Sequence, residues 1–232
     1  MTEREPLEIL HEDGHVVLVN KPARMLTVAA DPGAGRGKGT PLSERLRAGR
    51  AAIFPVHRLD FETSGVVLFA KDEPTRDGLV AQFREGRVEK TYVALVQGWP
   101  SPASGVFDFP IRDLGASAVV ARGGAPARTL YSTTRRVGSC ALMKIKLETG
   151  RHNQIRLHFA HAGWPLVGER KYAIGKQARV HHRRVLLHAS TLAFTPPHLH
   201  HVLRITAPLP PDFERALEEI AAAASPRDPR RR

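Results

Sequence analysis

Cysteine is almost missing from this chain: Cys140 is the single one among 232 residues, so no internal disulfide can form. A reducing compartment is therefore expected. The surrounding Val137-Gly138-Ser139-Cys140-Ala141-Leu142 reads as the start of a strand, which predicts a buried structural thiol and not a nucleophile. Long apolar runs are missing too, so no segment reaches the length needed to span a bilayer. The opening Met1-Thr2-Glu3-Arg4-Glu5 lacks the apolar core of a signal peptide. Together these absences predict a cytoplasmic protein with no membrane partner. Internal repeats are absent as well. What remains is an ordinary globular composition, 42% hydrophobic and 25% charged, long enough to bury a substantial core.

Acidic residues are the other shortage. Asp and Glu number 23 against 35 Lys and Arg, a formal net charge of +12, and the isoelectric point is near 10.6. Such a surface attracts polyanions. Arg supplies 27 of the 35 basic residues. Its planar fork binds phosphate and stacks on bases, which suits RNA, although a compositional bias would also enrich Arg. No basic amphipathic helix stands out that would favour a membrane surface.

Along the chain, Leu7 to Asn20 reads as strand, turn, strand, with Asp13-Gly14 as the turn. Residues 29–40 are rich in Gly, Pro and Ala and predict a loop. A short helix follows over Leu42 to Gly49, with Thr40 as its cap and Pro41 at its first position. Helical spacing marks Glu73 to Glu85, Asn153 to Ala162 and Asp212 to Ala224. Strands are predicted at 66–70, 88–97, 107–111, 127–136, 141–147, 185–194 and 203–205. Strands outnumber helices without strict alternation. The expected fold class is α+β, a mostly antiparallel mixed β-sheet with flanking helices. Residues 1–224 are read as a single catalytic domain and 225–232 as a basic, disordered tail.

Three segments carry candidate chemistry. In His57-Arg58-Leu59-Asp60-Phe61-Glu62-Thr63-Ser64-Gly65 a carboxylate lies near a guanidinium, in a segment that turns at Thr63-Ser64-Gly65 and enters a buried strand. Asp60 reads as a reactive carboxylate or as a turn residue paired with Arg58. In Gly150-Arg151-His152-Asn153-Gln154-Ile155-Arg156-Leu157-His158 polar groups crowd a helix start. Arg156 there either reaches a carboxylate on a neighbouring element or lies on a basic surface. Tyr92, in Lys90-Thr91-Tyr92-Val93-Ala94-Leu95-Val96, is a strand aromatic that fits the core or a platform for a flipped base.

Taken together, the three segments resemble the RluA-type pseudouridine synthases, with motifs HRLDxxTSG, KxYxAxV and GRxHQIRxH, then a GDxxYG-like turn seen here as Gly168 to Ala173. Glu12 to Pro22, Leu187-His188-Ala189-Ser190 and Ala207 to Pro210 extend the resemblance over roughly residues 7–215. It implies that the chain isomerises a specific uridine of tRNA or large-subunit rRNA to pseudouridine. A loop uridine is favoured, being cheaper to flip than a paired one. By resemblance Asp60 is the catalytic carboxylate, kept ionised by Arg156, and Tyr92 stacks on the target base. Arg58 fills the space left by the extruded nucleotide. Ile155, His57 and Gln154 complete the substrate-binding set. No cofactor or metal is implied, and a monomer acting on RNA is expected. An N-terminal S4-type RNA-binding domain, common in relatives, is not expected, because the resemblance begins within the first ten residues.

The chain departs from the motifs at four places. Asn153 stands where His is usual and Arg24 where a Gly commonly follows Asn-Lys-Pro. Glu169 and Ala173 replace Asp and Gly. Asn153 still donates and accepts hydrogen bonds, so altered contacts are expected and not lost chemistry. Other signals fail. In Gly33 to Thr40 the residue after Lys38 is Gly39, where a phosphate loop needs Ser or Thr, and Pro32 stands where it needs Gly. His57-Arg58-Leu59-Asp60 has one residue too many for a kinase catalytic loop. The pairs His158/His161 and His181/His182 and the group His198/His200/His201 lack the cysteine or glutamate partners of a zinc site. The competing class is a non-catalytic RNA-binding or ribosome-assembly protein on the same fold.

Overall fold

A computed structural model describes residues 6–29, 39–173 and 180–224. The loop expected over 29–40 and the tail expected over 225–232 fall almost wholly outside them. The chain divides into two compact units: the first holds 1–92, 146–149 and 187–208, the second 93–145, 150–186 and 209–232.

In the first unit, β1 (Glu8–Glu12) and β2 (Val16–Lys21) form an antiparallel hairpin. The Asp13 carboxylate closes its turn by accepting the amides of His15 and Val16 at 2.7 and 2.8 Å. The centre of the unit is β4 (Ser64–Ala70), buried at every position. Its apolar run has no polar face because both faces are covered. Val66, Leu68 and Ala70 point into one cluster with Leu18, Leu79 and Phe194. Val67 and Phe69 point into the other with Val17, Leu42 and Leu59. One edge of β4 pairs antiparallel with β2 from Gly65 to Ala70. The other edge is shared. The two-residue β3 (Phe54–Pro55) takes Ala70 and Phe69, and β11 (Leu187–Phe194) takes Ser64 and Gly65 in parallel. The antiparallel β12 (Leu203–Thr206) pairs with β11.

Two helices complete the unit. The first, α1 (Leu42–Arg47), starts one residue later than a Thr40 cap would place it, with Pro41 at the cap and no side-chain bond there. Its exposed amides are met from another loop: Leu42 and Ser43 donate to the carbonyls of Leu26 and Thr27 at 2.8 and 3.0 Å. By contrast α2 (Glu73–Arg84) is capped locally, the Asp72 carboxylate accepting from the Thr75 amide at 2.7 Å.

The chain enters the second unit along β5 (Glu89–Gln97) and continues through β6 (Ser104–Asp108), β9 (Arg128–Val137) and β10 (Cys140–Leu147). Sheet order there is β5-β10-β9-β6, with β6 and β9 antiparallel. The short β7 (Ile111–Asp113) and β8 (Ala118–Val120) make a separate hairpin, where the sequence predicts only turns after 111. Helix α3 (Gln154–His161) and helix α4 (Pro211–Ala224) pack in this unit. Leu95, Cys140, Val167, Phe213 and Leu217 form its core. Cys140 is fully buried, and burial pushes its thiol up, which leaves it a packing residue. The α+β expectation is met: a mixed, mostly antiparallel sheet with flanking helices.

Candidate active site

The turn carrying Asp60 comes one step earlier than the sequence suggests. The Thr63 amide donates to the Asp60 carbonyl at 3.1 Å, so Asp60 opens the turn, while Ser64 and Gly65 already belong to β4. Gly65 has φ +116, and a Cβ there would lie 2.1 Å from the Ala189 carbonyl oxygen. Only glycine allows β4 to approach β11 this closely. Beside it the Ser64 hydroxyl lies 3.0 Å from Nδ1 of fully buried His188, whose Nε2 is 3.3 Å from the Ala207 carbonyl.

The other flank of Asp60 is held by residues 21–27. The Thr27 hydroxyl accepts the Leu59 amide at 3.1 Å and donates to the Leu59 carbonyl at 2.9 Å. The Arg24 amide donates to the Phe61 carbonyl at 2.6 Å. Lys21 is fully buried, and its ammonium donates to the carbonyls of Pro22 and Met25 at 2.9 and 2.8 Å. Asp60 is thus bracketed by backbone bonds at Leu59 and Phe61, while its own side chain is half-buried.

Tyr92 belongs to the same unit and packs half-buried against the cluster that includes Leu59 and Ala189. Burial, then the negative charge of Asp60, pushes its hydroxyl well above the ordinary range. The structure therefore brings Asp60 and Tyr92 into one electrostatic neighbourhood. Arg58 is exposed. His57 turns inward: Nε2 accepts the Leu68 amide at 3.1 Å and the ring stacks on Phe83 with centroids 4.7 Å apart. Burial, helped by the Lys90 charge, holds His57 down to about 3, so the ring is neutral at physiological pH.

Ile155, Gln154 and Arg156 lie on α3 in the second unit, all buried. Gln154 is occupied by backbone and Thr129. Its carbonyl oxygen accepts the Arg151 amide at 2.9 Å, and its amide nitrogen donates to the Arg128 carbonyl and the Thr129 hydroxyl at 3.0 and 2.9 Å. Arg156 makes a bidentate pair with Glu169, Nε to Oε2 at 2.7 Å and the second nitrogen to Oε1 at 2.9 Å. The Glu169 side chain has no exposed surface. Burial alone would raise its pKa. The Arg156 hydrogen bond and charge, with the Lys171 and Tyr172 amides, outweigh that and hold it below the usual range. Asn153 caps the helix in a left-handed conformation, φ +53, and donates to the Tyr172 hydroxyl at 2.8 Å.

A cavity of ≈ 360 Å³ opens in this unit, lined in part by Ala118, Val120, Leu157, His161 and Tyr172. Among the described residues no carboxylate lines it. Among the described residues no group of His, Cys, Asp and Glu is arranged to hold a metal, and no helix is long and apolar enough to cross a membrane.

Residues 15–161 match the family model described as RNA pseudouridylate synthase. The chain belongs to that family. It is 36% identical over 211 residues to the dual-specificity RNA pseudouridine synthase RluA of Escherichia coli strain K12, covering 88% of this chain and 94% of that one. It is 31% identical to the ribosomal large subunit pseudouridine synthase C of Buchnera aphidicola, over 91% of this chain and 70% of the relative. Human RNA pseudouridylate synthase domain containing 4 shares the fold, with TM-score 0.75 and 24% identity over 92% of each chain. As an RNA pseudouridine synthase, the protein is an isomerase.

Some parts of the synthase site are not visible from sequence. Glu169 first appears only as a departure from the motif, yet it is the buried partner of Arg156. Thr27 and Lys21 give no motif signal for clamping Leu59 and the 22–25 turn, because only the fold brings them to those groups. The segment Leu187 to Ser190 is legible as a family segment, but not as the surface on which Gly65 rests.

Proposed function

We propose that this synthase converts a loop uridine of tRNA or large-subunit rRNA to pseudouridine in the cytoplasm, acting as a monomer with Asp60 as the catalytic carboxylate. Tyr92 is the aromatic on which the target base stacks, Arg156 the cation of the set, and Arg58 the side chain that takes the extruded nucleotide's place. The reaction breaks the N1–C1′ bond, turns the detached uracil, and forms a C5–C1′ bond, C5 losing a proton and N1 gaining one. Atoms balance within the nucleotide, so the chemistry asks for a positioned carboxylate, a base platform and exclusion of water.

The observation that carries the assignment is the fixation of Asp60. Its neighbours Leu59 and Phe61 are bonded to the 24–27 segment, and its turn leads into a strand seated on Ala189 without room for a Cβ. A carboxylate held this way keeps its geometry when a substrate arrives. His57, whose Nε2 accepts from Leu68, and Gln154, whose amide is bonded to Arg151, Arg128 and Thr129, hold these segments in place for the substrate, with Ile155 beside the base.

The test is base-specific mapping of pseudouridine in transfer and ribosomal RNA treated with wild-type protein or Asp60→Ala. Modification at a defined uridine is expected with wild type and none with the variant, at unchanged thermal stability. An Asp60→Ala protein that still turned over at the wild-type rate would remove Asp60 from the chemistry.

A further inference from the structure

Among the described residues, two that are not glycine adopt a left-handed backbone: Asn153 at φ +53 and Arg24 at φ +62. Such a conformation is unfavourable for a side chain with a Cβ and persists where the surroundings over-determine it. For Asn153 the reason is local, because its side chain bonds Tyr172 and accepts from Arg156. Arg24 has no such reason. Its side chain is exposed, and among the described residues its guanidinium makes no hydrogen bond or ion pair. Only its backbone is engaged, and firmly: its amide donates to Phe61, the residue after Asp60, and buried Lys21 staples the carbonyls on both sides of it.

A glycine would make the same backbone bond without strain. The arginine is the costlier choice, and what it adds is a planar cation on a rigid mount one peptide from the catalytic carboxylate. We infer that Arg24 is a binding residue for a phosphate of the RNA strand next to the target uridine. This rests on the reading of Asp60 given above. A guanidinium pairs with phosphate through two parallel N–H bonds. An RNA strand with one nucleotide drawn toward Asp60 carries its flanking phosphates past the rim of that turn. A chain with net charge +12 already favours such a strand.

The experiment compares wild type, Arg24→Gly, Arg24→Lys and Asp60→Ala, as full-length proteins, for binding a single-stranded oligouridylate over a range of salt. Arg24→Gly is expected to bind on the order of tenfold more weakly and to lower the slope of log K against log salt by about 0.7. Its melting temperature should rise or stay level, which separates lost binding from lost folding. Arg24→Lys should keep the slope while losing part of the affinity. An Arg24→Gly protein with wild-type affinity and slope would overturn the inference and point to an acidic protein surface as the occupant. Weaker binding at an unchanged slope would also overturn it, since no phosphate would then be neutralised. If wild type bound RNA as described but formed no pseudouridine, the Asp60 reading would fail while the Arg24 contact stood. No salt-dependent binding by wild type would sink both.

Discussion

The segment that presents Asp60 and the helix that presents Arg156 are held in place by different physics. Around Asp60 the restraints are short-range and meet neutral acceptors: a glycine pressed on a backbone, a hydroxyl bonded twice to one peptide, the Lys21 ammonium on two carbonyls, and strand packing on both faces of β4. Around Arg156 the restraint is a buried ion pair, with Glu169 accepting from the guanidinium and from two backbone amides. The first arrangement depends on steric fit and on neutral backbone acceptors. The second depends on charge state and fails when either partner is neutralised. One candidate segment is therefore governed chiefly by shape and the other by protonation.

The comparison is broken most severely at Gly65. Gly65→Ala puts a methyl group on the Ala189 backbone in a left-handed conformation. A loss on the order of 4 kcal/mol of stability, or failure to fold, is expected in urea unfolding at any pH. A soluble variant of wild-type stability would show that β4 and β11 are not held in register by this contact.

Glu169→Gln comes next, at about 3 kcal/mol, because it takes from the buried Arg156 guanidinium the carboxylate charge that two of its nitrogens bond. Here pH decides the interpretation. The folded-state pKa of Glu169 is lowered below the ordinary 4.5. The pair's stabilisation is therefore present above about pH 4.5 and lost as pH falls through the lower folded value. Unfolding curves of wild type and variant should be far apart at pH 7 and converge on acidification. A gap that stayed constant down to pH 3 would mean that shape and not charge holds Arg156.

Thr27→Val should cost least, about 1–3 kcal/mol, by leaving the amide and carbonyl of Leu59 without their partner. The volume is kept, so the packing around Leu59 survives. Pseudouridine formation should fall by more than the stability loss explains, because the slack is delivered next to Asp60. Unchanged turnover in a measurably destabilised variant would argue that the Leu59 clamp serves the fold alone.

These effects differ in how far they can be seen from sequence. The hairpin at Asp13, the buried character of 66–70 and the helix at α2 are legible, because periodicity and local turn chemistry determine them, whereas the candidate segments are legible only through the motifs they resemble. The cap of α1 is not, since Leu26 and Thr27 supply it from a different part of the chain. The β7–β8 hairpin escapes notice because Gly and Ser between 115 and 117 mask two three-residue strands. Asp60, Tyr92 and Arg156 stand out by motif. What holds them does not: the Glu169 pair and the Thr27 clamp join residues whose spacing carries no pattern.

The parallel contact of β4 with β11 has a consequence in time. Ser64 meets His188 across 124 positions of chain. Closing so long a loop is an entropic barrier that local structure cannot lower. As the protein emerges from the ribosome, the hairpin, β4 and the Asp60 motif are made early, yet the turn has nothing to rest on until Ala189 is outside the exit tunnel. A nascent chain can therefore display the whole HRLD segment without being a synthase. The seat for that turn arrives late, with the last fifth of the polypeptide.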